Sequence, residues 1–163
     1  MNEAKQNLGK YLSFSLGNER FAIPLLKVRE VIAPPLTTSI PKAPAYCLGF
    51  MNLRGEIITV LDLRLKLGIA GVKGPELALL ICEIGNISVG MLVDQINQVI
   101  APRAGEIGNP PDSGRLNSAM SIAGVYRDQA GLILFLDMEK TLGDVPLRAF
   151  ARGKTSLTDL ENS

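Results

Sequence analysis

The feature that most constrains this chain is an internal repeat. Residues 31–34, Val-Ile-Ala-Pro, recur as Val99-Ile100-Ala101-Pro102, an offset of 68. At the same offset Gly17-Asn18 falls on Gly85-Asn86, and Val28 on Ile96. Further on the offset becomes 75: Gly49, Asp62 and Gly68 fall on Gly124, Asp137 and Gly143, and residues 57–61 on 132–136. The seven extra residues fit within the Gly/Pro-rich stretch 105–117. Each copy is about 60 residues, marginal alone, and would bury its apolar face against the other. Hairpin turns and β-branched runs in each copy favour two small β-barrels packed side by side.

The central stretch, residues 47–64, reads as a hairpin. Apolar runs flank Arg54-Gly55, and glycine tolerates the positive φ of a tight turn. Asp62 stands where a helix N-cap would, ahead of Leu63-Arg64-Leu65-Lys66-Leu67, and Gly68 closes that helix. The repeat places Asp137 at the start of a second short helix before Gly143. The N-terminal hairpin spans 11–16 and 20–23, and its counterpart spans 77–84 and 87–93. Pro24 predicts a short helix over 25–31. Residues 37–40 read as a short strand, 41–44 as a stiff connector, 95–100 as an amphipathic piece, and 121–127 with 131–136 as a last hairpin. Residues 1–9 are expected to form a loose arm, 105–117 a mobile loop, and 151–163 a polar tail.

Composition removes several functions. There is no histidine, the commonest general base and metal ligand, so Ser-His-Asp and Cys-His catalysis are excluded. No metal site and no cofactor are expected. Net charge is +1 without a basic run, which argues against nucleic acid and against a polybasic membrane patch. No apolar run approaches the roughly 20 residues of a membrane span, so direct membrane insertion is not expected. The polar N-terminus lacks a signal-peptide core, and a cytoplasmic location is the default. Cys47 and Cys82 lie in apolar strand-like runs and read as buried free thiols. A hydrolase built on Asp62, Asp137 or Glu56 is the enzymatic alternative, but capping accounts for both aspartates.

Positions that differ between the copies are free to carry function. Glu30 is matched by Gln98, and Arg54 by Gln129, so both charges belong to the first copy alone.

With these residues in view the chain resembles the CheW-like family of bacterial chemotaxis coupling proteins over roughly residues 10–145. The resemblance rests on Phe21-Ala22-Ile23-Pro24, Val28-Arg29-Glu30-Val31-Ile32, Ile40-Pro41-Lys42-Ala43-Pro44 and, above all, Gly49-Phe50-Met51-Asn52-Leu53-Arg54-Gly55 followed by Val60-Leu61-Asp62-Leu63-Arg64. Thr59 stands where the family usually has proline.

The resemblance implies an all-β fold with short helices: two intertwined SH3-like barrels forming one CheW-like domain over 10–150. It implies a non-catalytic scaffold bridging the cytoplasmic tip of a methyl-accepting chemoreceptor and the CheW-like regulatory domain of the histidine kinase CheA. The protein would then be associated with membrane receptor arrays only through those partners. An adaptor of a non-flagellar pathway, such as type IV pilus twitching or surface sensing, is the alternative. Carried over by position, Val28, Glu30 and Arg54 match residues used near the receptor, and Thr37, Gly49 and Gly55 match positions linked to kinase contact. A helical receptor tip would lay apolar residues in a groove between the barrels, with Val28 and Val31 on one side and Ile96 and Val99 opposite.

Overall fold

A computed structural model describes residues 9–70, 74–110 and 121–147. Apart from Gly9, the expected N-terminal arm lies outside these residues, as do the tail and part of the 105–117 loop. Ten strands run in chain order: β1 (Tyr11–Leu16), β2 (Glu19–Pro24), β3 (Val28–Ile32), β4 (Cys47–Leu53), β5 (Glu56–Asp62), β6 (Ala78–Ile84), β7 (Ile87–Val93), β8 (Gln95–Ile100), β9 (Ile122–Asp128) and β10 (Gly131–Leu136). Two short helices, α1 (Leu63–Leu67) and α2 (Met138–Thr141), follow β5 and β10.

The strands form two five-stranded sheets, ordered β8-β1-β2-β10-β9 and β3-β6-β7-β5-β4. The repeat maps one order onto the other strand by strand, but the copies do not fold separately. The first sheet takes the hairpin β1–β2 from the first copy and β9–β10 from the second; the other sheet takes β6–β7 and β4–β5. The exchanged hairpins meet in parallel pairs, β2 with β10 and β5 with β7, whereas the other strand pairings are antiparallel. The barrels are therefore intertwined, each built from half of either repeat.

Burial explains the arrangement. Along β1, Leu12, Phe14 and Leu16 face a core shared by both sheets; along β6, Leu80 and Cys82 face it, while Leu79 and Ile81 face a separate cluster with Ile58, Val60 and Leu92. A matching cluster on the first sheet holds Ala22, Ile100, Ile133 and Phe135. The central hairpins are thus covered on both faces, so their apolar runs are nearly continuous. At about 25 cal/mol per Å² of apolar surface, the shared core is the main force holding the two copies together. Ser13 is the buried exception on β1. It sits at a bulge against β8, where its Oγ donates to the Gln98 carbonyl (2.9 Å) and accepts from the Gln98 amide (3.1 Å).

Both helix caps form as expected. The Asp62 carboxylate accepts from the Leu65 amide at 3.2 Å, and that of Asp137 from the Lys140 amide at 3.0 Å. Gly68 ends α1 in the left-handed region at φ 69°.

Three expectations are corrected. The helix over 25–31 is a single 3₁₀ turn, Leu25–Lys27, and Val28–Ile32 is strand. Three of its five residues are β-branched, and pairing with β6 outweighs the local turn signal. The strand over 37–40 is reduced to one bridge, Thr38 with Phe50, in a segment of prolines that cannot donate to a ladder. The piece over 95–100 is β8, an edge strand. Both cysteines are free, but Cys47 is only half-buried. Among the described residues no helix is long and apolar enough to cross a membrane, and no group of three or more Cys, Asp or Glu could hold a metal ion.

Candidate functional site

β3 and β4 are opposite edges of one sheet, yet charged side chains join them. Arg54, at the β4–β5 turn, donates through Nη2 to both oxygens of Glu30 on β3, at 2.8 and 3.0 Å. Arg29 donates to Glu56 at 2.5 Å and to the Ser88 hydroxyl at 3.2 Å. These pairs bring the edge of the sheet back against its far hairpin, the curl expected of a barrel. They also form an exposed, charged corner. The Arg29 hydrogen bond holds the Glu56 carboxyl below the usual carboxylate range, and the same bond raises the Arg29 guanidinium. The ion pair accounts for Glu56, as the caps account for Asp62 and Asp137, so none of the three is poised for hydrolysis.

The turn carrying Arg54 is tight. Leu53 pairs with Glu56, leaving Arg54 and Gly55 as a two-residue loop with φ of 51° and 86°. Positive φ at both positions is the type I′ pattern, which matches the right-handed twist of the flanking strands. The Asn52 side chain accepts from the Gly55 amide at 2.8 Å. Glycine suits its place, but an arginine in the left-handed region is strained, and such strain collects at functional positions. Arg54 is 63% exposed and Glu30 28%. The guanidinium can therefore exchange Glu30 for an acidic group on a partner at small cost, because an exposed ion pair contributes at most about 1 kcal/mol.

The residues expected at the receptor divide between sheets. Val28, Glu30, Val31 and Arg54 share the β3 corner. Val28 packs against the shared core, while Val31 is exposed. Ile96 and Val99 stand on β8, the edge of the other sheet; Ile96 packs against the core and Val99 is exposed. Each side of the pseudo-symmetric pair thus offers one inward and one outward apolar residue.

The residues expected at the kinase also divide. Thr38 exchanges two backbone hydrogen bonds with Phe50, at 2.8 and 2.9 Å, which holds the connector containing Thr37 over β4. Gly49 lies buried beneath it, at φ 127°, and a Cβ there would come within 2.0 Å of the Thr38 carbonyl oxygen. Gly49 shapes this edge through its missing side chain. Gly55 belongs instead to the Arg54 turn, with open space around it.

Sequence reasoning missed three features. Leu36, in the same connector as Thr37, is 98% exposed. A leucine between Pro34-Pro35 and Thr37-Thr38, with no apolar periodicity around it, was the available signal. Ile57 and Leu132 are also exposed and are related to each other by the repeat, as Val31 is to Val99. Lastly, Arg29 completes the charged corner, which no local pattern could show because Glu56 is 27 residues away.

Comparison with known proteins agrees with this geometry. Residues 10–145 match the family model described as the CheW-like domain. The chain is 31% identical over 134 residues to the chemotaxis protein CheW of Klebsiella aerogenes, covering 82% of this chain and 81% of that one. It is 29% identical over 147 residues to protein FrzA of Myxococcus xanthus, covering 88% and 91%. Its fold is similar to the crystal structure of the scaffolding protein TtCheW from Thermoanaerobacter tengcongensis, with a TM-score of 0.73, 30% identity and coverage of 79% and 88%. A family match over most of the chain, a swapped two-sheet fold in keeping with SH3-like barrels, and carboxylates engaged in capping and ion pairs lead to one conclusion: the chain belongs to the CheW-like family and is a non-catalytic chemotaxis adaptor.

Proposed function

We propose that this chain couples the cytoplasmic tip of a methyl-accepting chemoreceptor to the CheW-like regulatory domain of the histidine kinase CheA. It works in the cytoplasm and reaches the membrane array through those partners, without touching lipid or nucleic acid. The observation that carries this reading is the β3 corner. A strained, exposed Arg54 pairs with Glu30, and neither charge has a counterpart in the second copy. Val28, Val31, Glu30 and Arg54 meet the receptor hairpin, with Ile96 and Val99 as their pseudo-symmetric partners on β8. Apolar residues supply affinity, and the charges set orientation and partner choice. Thr37 and the edge shaped by Gly49 meet the kinase, with Leu36 as the apolar anchor. Gly55 acts by holding the Arg54 turn.

The test is a pull-down of Arg54→Glu with a soluble receptor hairpin and, separately, with the kinase regulatory fragment. The expected result is loss of the receptor and retention of the kinase, with an unchanged thermal melt. Full receptor binding by the folded variant would refute the assignment. The likeness to FrzA supports a second reading, an adaptor of a non-flagellar pathway. The same pull-down with kinases of the two pathways separates them.

A further inference from the structure

The chain crosses between the two sheets at equivalent places in each copy. Asp94 is the one residue between β7 and β8, and the 3₁₀ turn Leu25–Lys27 lies between β2 and β3. Each crossover carries an ion pair to the second residue of the helix that follows the parallel-paired strand. Asp94 faces Arg64 of α1, with Nη1 3.9 Å from Oδ2; Lys27 donates to Glu139 of α2. The repeat aligns Arg64 with Glu139, and Asp94 stands one residue before Gln95, the position aligned with Lys27, so the two pairs correspond closely with their polarity reversed.

They differ in how firmly they are set. The Arg64 and Asp94 side chains are 9% and 13% exposed. Asp94 also accepts from the Gly17 amide at 2.6 Å and donates its own amide to the Ser15 carbonyl at 3.1 Å, so it ties α1, β7 and the β1–β2 hairpin together. Lys27 and Glu139 are 39% and 48% exposed. Beside them is an apolar cleft of about 230 Å³ whose lining includes Tyr11, Pro24, Ala123, Phe135 and Met138. On the other sheet the equivalents of the first four, Leu79, Leu92, Leu48 and Val60, pack together in one hydrophobic cluster.

We propose that the two crossovers are unequal hinges: the Asp94 crossover is a fixed pivot, and the Lys27 crossover yields, so that β3 shifts against α2 when the Lys27–Glu139 pair opens. The cleft supplies the room, and an exposed ion pair supplies a weak latch. Lys27 directly precedes Val28, so the yielding hinge carries the strand with Val28, Glu30 and Val31. The consequence for receptor coupling rests on the function proposed above; the hinge itself does not.

Hydrogen exchange of the free, full chain tests the hinge without any partner. Glu139→Gln should speed exchange of the β3 amides about two- to fivefold, the range set by an exposed ion pair, while the β8 amides stay as in the wild type. The charge swap Lys27→Glu with Glu139→Lys should restore the wild-type rates. Ala123→Leu, which takes the residue found at the equivalent position 48, should slow β3 exchange by filling the cleft. Asp94→Asn keeps an acceptor for Gly17 but leaves Arg64 without its counter-charge, and should speed exchange in both sheets together. An unchanged β3 in Glu139→Gln, equal acceleration of β3 and β8, failure of the swap to restore, or a response to Asp94→Asn confined to β8 would each overturn the proposal. If β3 responds as expected while receptor-hairpin binding is absent in the wild type as well as in every variant, the hinge stands and the receptor assignment falls.

Discussion

Replacing Gly49 with alanine tests whether the β4 edge is shaped by a missing side chain. The added Cβ would lie 2.0 Å from the Thr38 carbonyl oxygen and 2.7 Å from its carbonyl carbon, and both are backbone atoms that cannot rotate away. The connector must lift, which breaks the two hydrogen bonds between Thr38 and Phe50. Each contributes roughly 1 kcal/mol. Holding a non-glycine residue at a φ of 127° costs a further 1–3 kcal/mol or so. The expected destabilisation is therefore about 3–5 kcal/mol, a large share of a typical domain's stability. Gly55→Ala is the control. It shares a positive φ of 86° but meets nothing within 4 Å, and should cost only about 1 kcal/mol. Urea unfolding followed by far-UV circular dichroism reads both, since the chain has no tryptophan to report. A Gly49→Ala midpoint equal to that of Gly55→Ala would refute the account of Gly49 as a position that only an absent side chain can fill.

Two further predictions concern titrating groups. The Arg20 side chain hydrogen-bonds both oxygens of Asp128, at 2.6 and 2.8 Å, and holds its carboxyl down to about 2. A folded-state value below the unfolded one gives stability that is fully present above about pH 4 and is lost as pH falls toward 2. Asp128→Asn should therefore be less stable than the wild type at pH 7, and urea midpoints taken across pH 4 to 2 should converge; a constant difference over that range would refute it. The other concerns the thiols. Burial pushes Cys82 up to about 12 and raises Cys47 as well, so neither is a ready thiolate at neutral pH. With iodoacetamide on the native protein, peptide mass mapping should find the half-buried Cys47 modified before Cys82, and Cys82 modified only once urea unfolds the chain.

The opposite order would place the core hydrogen-bond and packing pattern around β6 in error. What makes Cys82 inert is β7 on one side and β3 on the other, with the shared core over its face. Cys47 packs against the same core but is flanked on one side only, because it stands at the start of edge strand β4.

Local chemistry is what the linear chain displays. The Arg54-Gly55 turn, the aspartate caps at 62 and 137 and the closing Gly68 each depend on residues within a few positions, and each forms where the pattern places it. The error over 25–31 has the same origin. Pro24 and the residues after it do start a turn, but β3 is set by its pairing with β6, some 50 residues on. The charges behave likewise: Glu30 and Arg54 stand out because the second copy lacks them, while their pairing to each other, and Arg29's to Glu56, arises only when the sheet curls.

The sequence by itself pointed to two copies of one β-rich unit sharing a core, because each is marginal alone. It also determined the hairpins and the caps, and the motifs identified the family. Only the tertiary structure decided how the copies exchange halves, which charges meet, and that one crossover is buried while the other lies open beside a cleft. The physical reason is reach. Turns and caps are satisfied within about three residues of backbone, whereas the parallel pairs β2–β10 and β5–β7 and the ion pairs that close them join segments 30 or more residues apart, where no local period records the partner.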